Sequence, residues 1–355
     1  MQTQGGNTQD GFNFQGIVDV TADGIIRRFR SGSNLDASSQ FTTTFVAGSV
    51  LNVAGSILDI NMDGRWANAP TQAEPFRVLL NGTATVHSGA TLNAKFENNR
   101  GTIAADVHAI DARMSLSGTL NWAGEVGMKA RNTANNRFTI NSAGVAVITG
   151  NSSTFRELLP LDTDGQGSKV ATTIFTNNGT LRGSSASDTL QYNSDADATE
   201  RLTILNNSIL APSTLGGAGT LSLAGVNVDF AANSSLNLDI GGTTSGTFDV
   251  LSLISGSSSD AGNLNIANGA EIKISYISGF APESTFSITI LNYGSHAGSF
   301  VFSSITGATG EAANPANYSV TYGANSAVLT VAIPEPANLA FLSLGGSILV
   351  LRRRA

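Results

Sequence analysis

The stretch of sequence that decides the fold is residues 219–240, GTLSLAGVNVDFAANSSLNLDI. Within it, residues 220–223, 226–230 and 235–240 alternate apolar residues with small polar ones. A period of two is the pattern of a β-strand that buries one face. The connections between these segments contain Gly225 and Asn233, which are typical turn residues. This stretch therefore predicts three short strands joined by tight turns.

The same pattern recurs from about residue 13 to residue 331. Further strands are predicted at 41–46, 49–53, 56–60, 138–141, 145–148, 271–276 and 285–291. Amphipathic helices are scarce, and the best internal candidate for a short helix is residues 154–161. We therefore expect an all-β protein.

A weak repeat indicates how the strands are arranged. Gly-Thr followed by an apolar residue begins at Gly82, Gly101, Gly118, Gly179 and Gly219, at intervals of 19, 17, 61 and 40 residues. These intervals are close to multiples of about 20 residues, a length used by the coils of parallel β-solenoids. Asn-Asn pairs at 98–99 and 177–178 predict aligned turns whose amides stack.

The strand rhythm and the repeat together predict a right-handed parallel β-helix, a solenoid in which each coil pairs only with its neighbours. Antiparallel β-sandwich domains use the same strand signals and are the alternative. We predict coils over residues 1–234 and a terminal β-region over 235–331 that caps the solenoid. Residues 332–355 form a separate C-terminal segment.

The C-terminal segment has three parts in a fixed order. Pro334, Glu335 and Pro336 come first, in a stretch that cannot be helical. Residues 337–351 are almost wholly apolar, and Arg352, Arg353 and Arg354 follow at once. A helix of 15 residues is about 22 Å long, which is short for a hydrocarbon core of about 30 Å. Snorkelling arginines and local thinning of the bilayer close much of that gap.

This segment resembles the PEP-CTERM sorting signal of Gram-negative bacteria. The resemblance implies that an exosortase-type membrane enzyme recognises Pro334, Glu335 and Pro336 and removes the tail. The arginines would orient the tail by staying on the cytoplasmic side of the inner membrane. The residues expected to hold it in the membrane as a short helix are Ala337, Leu339, Phe341, Leu342, Leu344, Ile348, Leu349, Val350 and Leu351. Residues 1–10 lack the basic and apolar regions of a secretory signal, so we expect that signal to lie upstream of Met1.

A second, looser resemblance concerns the body of the chain. Residues 216–302 are similar to the C-terminal part of autotransporter-type β-helical passengers. The matching segments are GTLSL at 219–223, LNLDI at 236–240, DVL at 249–251, LNI at 264–266, ITILNY at 288–293 and GSF at 298–300. The sorting tail stands where an autotransporter has its membrane β-barrel.

Composition limits the function classes. The chain has no cysteine, so disulfides and thiolate metal sites are excluded. The net charge is −7 and only 13% of residues are charged, which does not fit a nucleic-acid partner. Hydrophobic residues make up 41% of the chain, more than a disordered protein would have.

Catalytic motifs are mostly absent from the sequence, and no cofactor is predicted. Asp162 and Asp164 precede Gly165 and form a weak calcium candidate, although a solvated Asx turn explains them as well. A second acidic group is interpreted as a solvated loop, and it comprises Asp188, Asp195, Asp197 and Glu200.

The function that we expect is that of an exported, non-catalytic structural or adhesive protein of the cell surface or extracellular matrix. Strand faces rich in Ser, Thr and Asn would contact extracellular polysaccharide. One alternative is a β-helix polysaccharide lyase or glycosidase, in which coils of about 20 residues place Lys129 and Arg131 over Asp111 and Arg113. The other is a carbohydrate-binding module.

Overall fold

The structure is a computed structural model that describes residues 2–4, 12–32, 41–66, 76–98, 112–129, 138–158, 174–194, 201–256 and 260–334. These residues form a column of stacked coils with three strands in each coil. Helix within them is limited to two short 3₁₀ turns, Gly310–Ala313 and Pro315–Asn317.

The first part of the column contains β1 (Gln2–Gln4), β2 (Phe12–Phe14), β3 (Ile17–Val20), β4 (Gly24–Gly32), β5 (Phe41–Phe45), β6 (Val50–Val53), β7 (Ile57–Trp66), β8 (Phe76–Leu80), β9 (Thr83–Val86), β10 (Thr91–Asn98) and β11 (Ala112–Leu116). The middle contains β12 (Thr119–Trp122), β13 (Glu125–Lys129), β14 (Phe138–Ile140), β15 (Val145–Ile148), β16 (Ser153–Leu158), β17 (Ile174–Asn177), β18 (Thr180–Gly183), β19 (Ser187–Ser194), β20 (Leu202–Asn206), β21 (Ile209–Ala211) and β22 (Thr220–Ala224). The last part contains β23 (Val226–Phe230), β24 (Ser235–Ile240), β25 (Val250–Ile254), β26 (Asn263–Ile266), β27 (Glu271–Tyr276), β28 (Phe286–Asn292), β29 (Ser295–Ala297), β30 (Val301–Thr306), β31 (Tyr318–Tyr322) and β32 (Ser326–Val331).

Every third strand belongs to the same sheet, as a three-sided solenoid requires. Sheet A runs β1-β4-β7-β10-β13-β16-β19-β22-β25-β28-β32-β31, sheet B runs β2-β5-β8-β11-β14-β17-β20-β23-β26-β29, and sheet C runs β3-β6-β9-β12-β15-β18-β21-β24-β27-β30. Neighbouring strands of successive coils are parallel, for example β12 with β15 and β23 with β26. The predicted parallel β-solenoid is therefore confirmed, and the alternative of antiparallel β-sandwich domains is wrong.

The predicted coil length of about 20 residues is also wrong. Asn121 lies over Thr85, 36 residues earlier, and Asn207 lies over Asn178, 29 residues earlier. The connections between the three strands of a coil vary in length, so the offset between paired residues is 24 for Met114 and Phe138 and 36 for Thr85 and Asn121. The Gly-Thr spacing does not give the coil length, because the repeats do not share one sheet. Thr83 and Thr119 pair in sheet C, whereas Thr220 belongs to sheet A.

Apolar side chains point inward from all three sheets and fill the column. Leu120, Leu181 and Leu236 are fully buried on sheet C. In the middle coils, Trp122 and Phe138 pack with Phe155 and Phe175, and their ring centroids lie 4.8–6.2 Å apart. Burying each such side chain stabilises the fold by about 1.5–3 kcal/mol.

The predicted helix at 154–161 is wrong over its described part, since Ser153–Leu158 is strand β16. Residues 159–161 lie outside the described residues. Parallel partners on both sides, β13 and β19, hold strand β16 extended. Its Phe155 takes the inward position beside Val126 and Tyr192. Tertiary pairing has therefore overridden the weak helical pattern.

Glycine is required where the corner between sheets B and C brings successive coils together. A Cβ atom on Gly118 would collide with the carbonyl group of Gly82, and one on Gly179 would collide with the carbonyl oxygens of Asn141 and Gly144. The carbonyl oxygen of Gly118 in turn accepts the N–H of Val145 at 2.9 Å. The glycines of the Gly-Thr repeat thus allow close stacking, a requirement set by contact between coils.

Parallel pairing continues across residue 234, since Ile209 pairs with Ser235. Apart from an isolated bridge between Ile240 and Phe248, the antiparallel pairing among the described residues involves β32, which pairs with β28 on one side and β31 on the other. This hairpin closes the C-terminal end of sheet A. A sheet edge covered in this way is protected from further pairing.

Candidate functional site

Of the predicted sorting motif, Pro334 lies within the described chain. The N–H of Ala332 donates to the carbonyl oxygen of Asn317 at 2.8 Å, and the N–H of Ile333 donates to Oγ1 of Thr285 at 3.1 Å. Pro334 follows and is exposed. The chain is therefore bonded to the cap as far as Ile333 and reaches the surface where the motif begins.

The rest of the predicted sorting segment lies outside the described residues. This applies to Glu335, Pro336, the apolar residues from Ala337 to Leu351, and Arg352, Arg353 and Arg354. In the described ranges, no helix has the length and apolar character needed to cross a membrane.

Metal binding has no support in the described part of the chain. Asp162 and Asp164, the weak calcium candidate, lie outside it. Within it, no group of three or more His, Cys, Asp or Glu residues is placed to hold a metal ion.

Two of the four charged residues considered for an enzyme site are described, and they do not lie together. Lys129 lies in sheet A beside Leu158, whereas Arg113 lies in sheet B beside Arg77. Asp111 and Arg131 lie outside the described residues. The arrangement required coils of about 20 residues, and the longer coils place Lys129 and Arg113 on different sides of the column.

Asp188 is not in a solvated loop, because its side chain is fully buried. Its carboxylate accepts the N–H groups of Gly150, Ser184 and Ser185 at 2.6–2.7 Å. The hydroxyls of both serines also donate to it. Asp188 therefore holds a corner of the column, while Asp195, Asp197 and Glu200 lie outside the described residues.

Asp239 and Asp249 form a buried acidic pair that the sequence analysis did not identify. Oδ1 of Asp249 accepts the N–H of Gly219 at 2.7 Å, and its Oδ2 accepts the N–H of Asp239 at 2.9 Å. Asp239 in turn accepts the N–H of Gly216 at 2.6 Å. Both carboxylates thus hold the loop between β21 and β22. Their position inside strand-like segments, LDI at 238–240 and FDV at 248–250, is the sequence feature that could have indicated their burial.

Burial raises the pKa of Asp249 to about 7, and the hydrogen bonds from Asp239, Ser213 and Gly219 oppose that rise only in part. Burial also raises the pKa of Asp239. The pair therefore retains a proton at a pH where an exposed carboxyl group would have lost it. Its hydrogen bonds with the backbone N–H groups of Gly216 and Gly219 hold the loop between β21 and β22, which is a structural role.

Acid–amide pairs join neighbouring coils on the outer face of each sheet. The Nδ2 groups of Asn52, Asn93 and Asn265 donate to Asp19, Asp59 and Asp229 at 2.7, 2.8 and 2.6 Å. In the first and third pairs both side chains are exposed or half-buried. The outer faces of sheets C and B thus present carboxylate and amide oxygens to solvent.

A column of turn residues follows the ends of the sheet B strands, one residue from each coil. Each donates its N–H to a carbonyl oxygen one coil earlier, and the column reads Val46, Asn81, Ser117, Asn141, Asn178, Asn207, Ala231 and Ala267. Side-chain hydrogen bonds link Asn141 to Ser117 at 2.8 Å and Asn207 to Asn178 at 2.9 Å. The predicted stacking of turn amides is therefore confirmed at Asn178. Beyond Asn207 the column changes to alanine.

An open cleft of about 380 Å³ lies where the column loses its asparagines. Ala231, Ala267 and Gly298 lie along it in three successive coils, and Asn207, Asp229 and Asn265 contribute polar groups. The cleft therefore combines an apolar surface with a few oxygen atoms, the usual composition of a ligand site. Sequence reasoning missed it because the three coils are adjacent only after folding.

The chain matches no protein-family model, no curated protein and no solved structure.

Proposed function

We propose that this chain is an exported, non-catalytic structural or adhesive protein of the cell surface or extracellular matrix of a Gram-negative bacterium. It is sorted by a PEP-CTERM-type tail that an exosortase-type enzyme of the inner membrane recognises. Its body, right-handed as parallel crossovers usually are, resembles a β-helical autotransporter passenger and contacts extracellular polysaccharide.

The observation that carries this proposal is the position of Pro334. Among the described residues the fully buried core ends at Val331, and Pro334 is exposed. A processing enzyme would therefore meet the first residue of the motif at the surface of the folded column. Removal of the tail would leave the described core intact.

The outer faces of the column support the proposed contact with polysaccharide. Hydroxyl, amide and carboxylate groups recur on successive coils, as in the Asp19–Asn52 and Asp229–Asn265 pairs. Such groups hydrogen-bond to the hydroxyl groups of sugars.

The experiment is intact-mass measurement of the protein isolated from the cell surface of its host. The expected form lacks the apolar residues and Arg352 to Arg354. Glu335→Ala should retain the tail and remain with the inner membrane, whereas Glu283→Ala, at an exposed glutamate of the body, should be processed normally. A surface form of the wild-type chain that still contains Arg354 would refute the sorting proposal.

A further inference from the structure

The cleft at the end of the asparagine column results from a change in side-chain size. Five successive turn positions, from Asn81 to Asn207, have Asn or Ser, and the next two have Ala231 and Ala267. Gly298 follows in the last coil, where a Cβ would collide with the carbonyl group of Ile266. Three neighbouring coils therefore lack a long side chain at one corner, which leaves a depression.

The polar groups beside this depression have unused acceptors. Oδ1 of Asp229 accepts from Nδ2 of Asn265 at 2.6 Å, and Nδ2 of Asn207 donates to Oδ1 of Asn178 at 2.9 Å. Within the described structure these bonds leave Oδ2 of Asp229 and the amide oxygens of Asn265 and Asn207 without a donor. Three of the residues that line the cleft thus carry an oxygen acceptor that has no donor in the described structure.

We propose that this cleft binds one or two sugar rings of a neutral glycan, a proposal that rests on the proposed contact with polysaccharide. A pyranose ring has an apolar face of C–H groups and an edge of hydroxyl donors. The methyl groups of Ala231 and Ala267 would pack against that face. Asp229, Asn265 and Asn207 would accept from the hydroxyls. A volume of about 380 Å³ lies at the lower end of the range of ligand pockets.

Charge selects against acidic sugars. Asp229 lines the cleft, and among the described residues no lysine, arginine or histidine does so. The whole chain also has a net charge of −7. A uronic acid placed here would meet a like charge without a compensating cation. The ligand is therefore a neutral or N-acetylated sugar.

The test uses the full-length chain with three defined probes, cellotetraose, tetra-N-acetylchitotetraose and tetragalacturonate. Titration calorimetry measures the affinity. Chemical shifts of the side-chain amides of Asn207 and Asn265 locate the binding. We expect at least one neutral probe to bind with a Kd on the order of 1 mM, as suits a shallow cleft. We expect no binding of tetragalacturonate.

Two variants and two matched controls complete the design. Ala267→Phe fills the cleft and Asp229→Asn removes its charged acceptor, and each should weaken binding at least tenfold. Ala143→Phe changes an exposed turn alanine of an earlier coil, and Glu283→Gln removes an exposed carboxylate that does not line the cleft. Both controls should keep the wild-type affinity within twofold. Circular dichroism checks that all four variants fold.

The proposal is overturned if no neutral probe binds at a probe concentration about ten times the expected Kd. It is also overturned if tetragalacturonate binds most tightly. It is also overturned if folded Ala267→Phe retains full affinity. The mass measurement of the C-terminus does not depend on glycan binding. Failure of the sorting proposal can therefore be distinguished from failure of the glycan proposal.

Discussion

Asn177 donates from Nδ2 to Oδ1 of Asn206 at 2.6 Å, and both side chains are fully buried. They occupy an inward row of sheet B in which the coils before and after have Ile140 and Phe230. Nδ2 of Asn177 also donates to the carbonyl oxygen of Ile209 at 2.7 Å, and its Oδ1 accepts the N–H of Gly179. This amide pair therefore satisfies backbone groups at a corner of the column.

We predict that Asn177→Ala destabilises the fold by about 1–3 kcal/mol, because it leaves buried partners without hydrogen bonds. Asn178→Ala, one residue along, removes a more exposed bond to Asn207 and should cost less than about 0.5 kcal/mol. Urea denaturation of both variants measures the difference. Equal losses for the two would contradict the assigned role of the buried pair.

Gly118 provides a steric test of the coil stacking. Gly118→Ala would place a Cβ against the carbonyl group of Gly82. Because coils on both sides restrain the backbone there, we expect a loss of about 1–3 kcal/mol or more. Gly24→Ala is the control, since its added Cβ would meet its neighbours at 3.7–3.8 Å, an ordinary contact distance. Thermal unfolding should separate the two variants, and a similar midpoint for both would refute the steric explanation.

Asp249 predicts a pH dependence of stability. Its pKa is about 7 in the folded chain, against an ordinary value of 3.8. Between those pH values the folded chain binds more protons at Asp249 than the unfolded chain does. The contribution of Asp249 to the free energy of unfolding is therefore full below about pH 4 and is lost as the pH rises towards 7. The free energy of unfolding should fall by roughly 2–3 kcal/mol from this group between pH 5 and pH 8.

Denaturation of the wild-type chain and Asp249→Asn at pH 5 and pH 8 isolates that contribution. The advantage of the wild type over the variant should shrink at pH 8. Asp19→Asn, which alters an exposed carboxylate, should show no such change. A wild-type advantage that grows with pH would have the wrong sign and would exclude a buried, protonated Asp249.

The strands were largely predictable from the sequence, since a period of two depends only on which side chains face the core. Val226–Phe230 and Ser235–Ile240 have the predicted bounds. The coil length was not predictable from the Gly-Thr spacing, because a coil spans three sheets whose connections vary in length. The cleft was hidden for the same reason, since Ala231, Ala267 and Gly298 are distant in the chain.

What the sequence by itself determined is the alternation of inward and outward residues and the small side chains at the corners. Only the tertiary structure decided which residues stack on each other. Asp188 and Asp229 both lie in strands of the column, yet Asp188 is buried under five donors and Asp229 lines an open cleft. The physical reason is that pairing between parallel coils sets the register, and register is a property of residues about 30 positions apart.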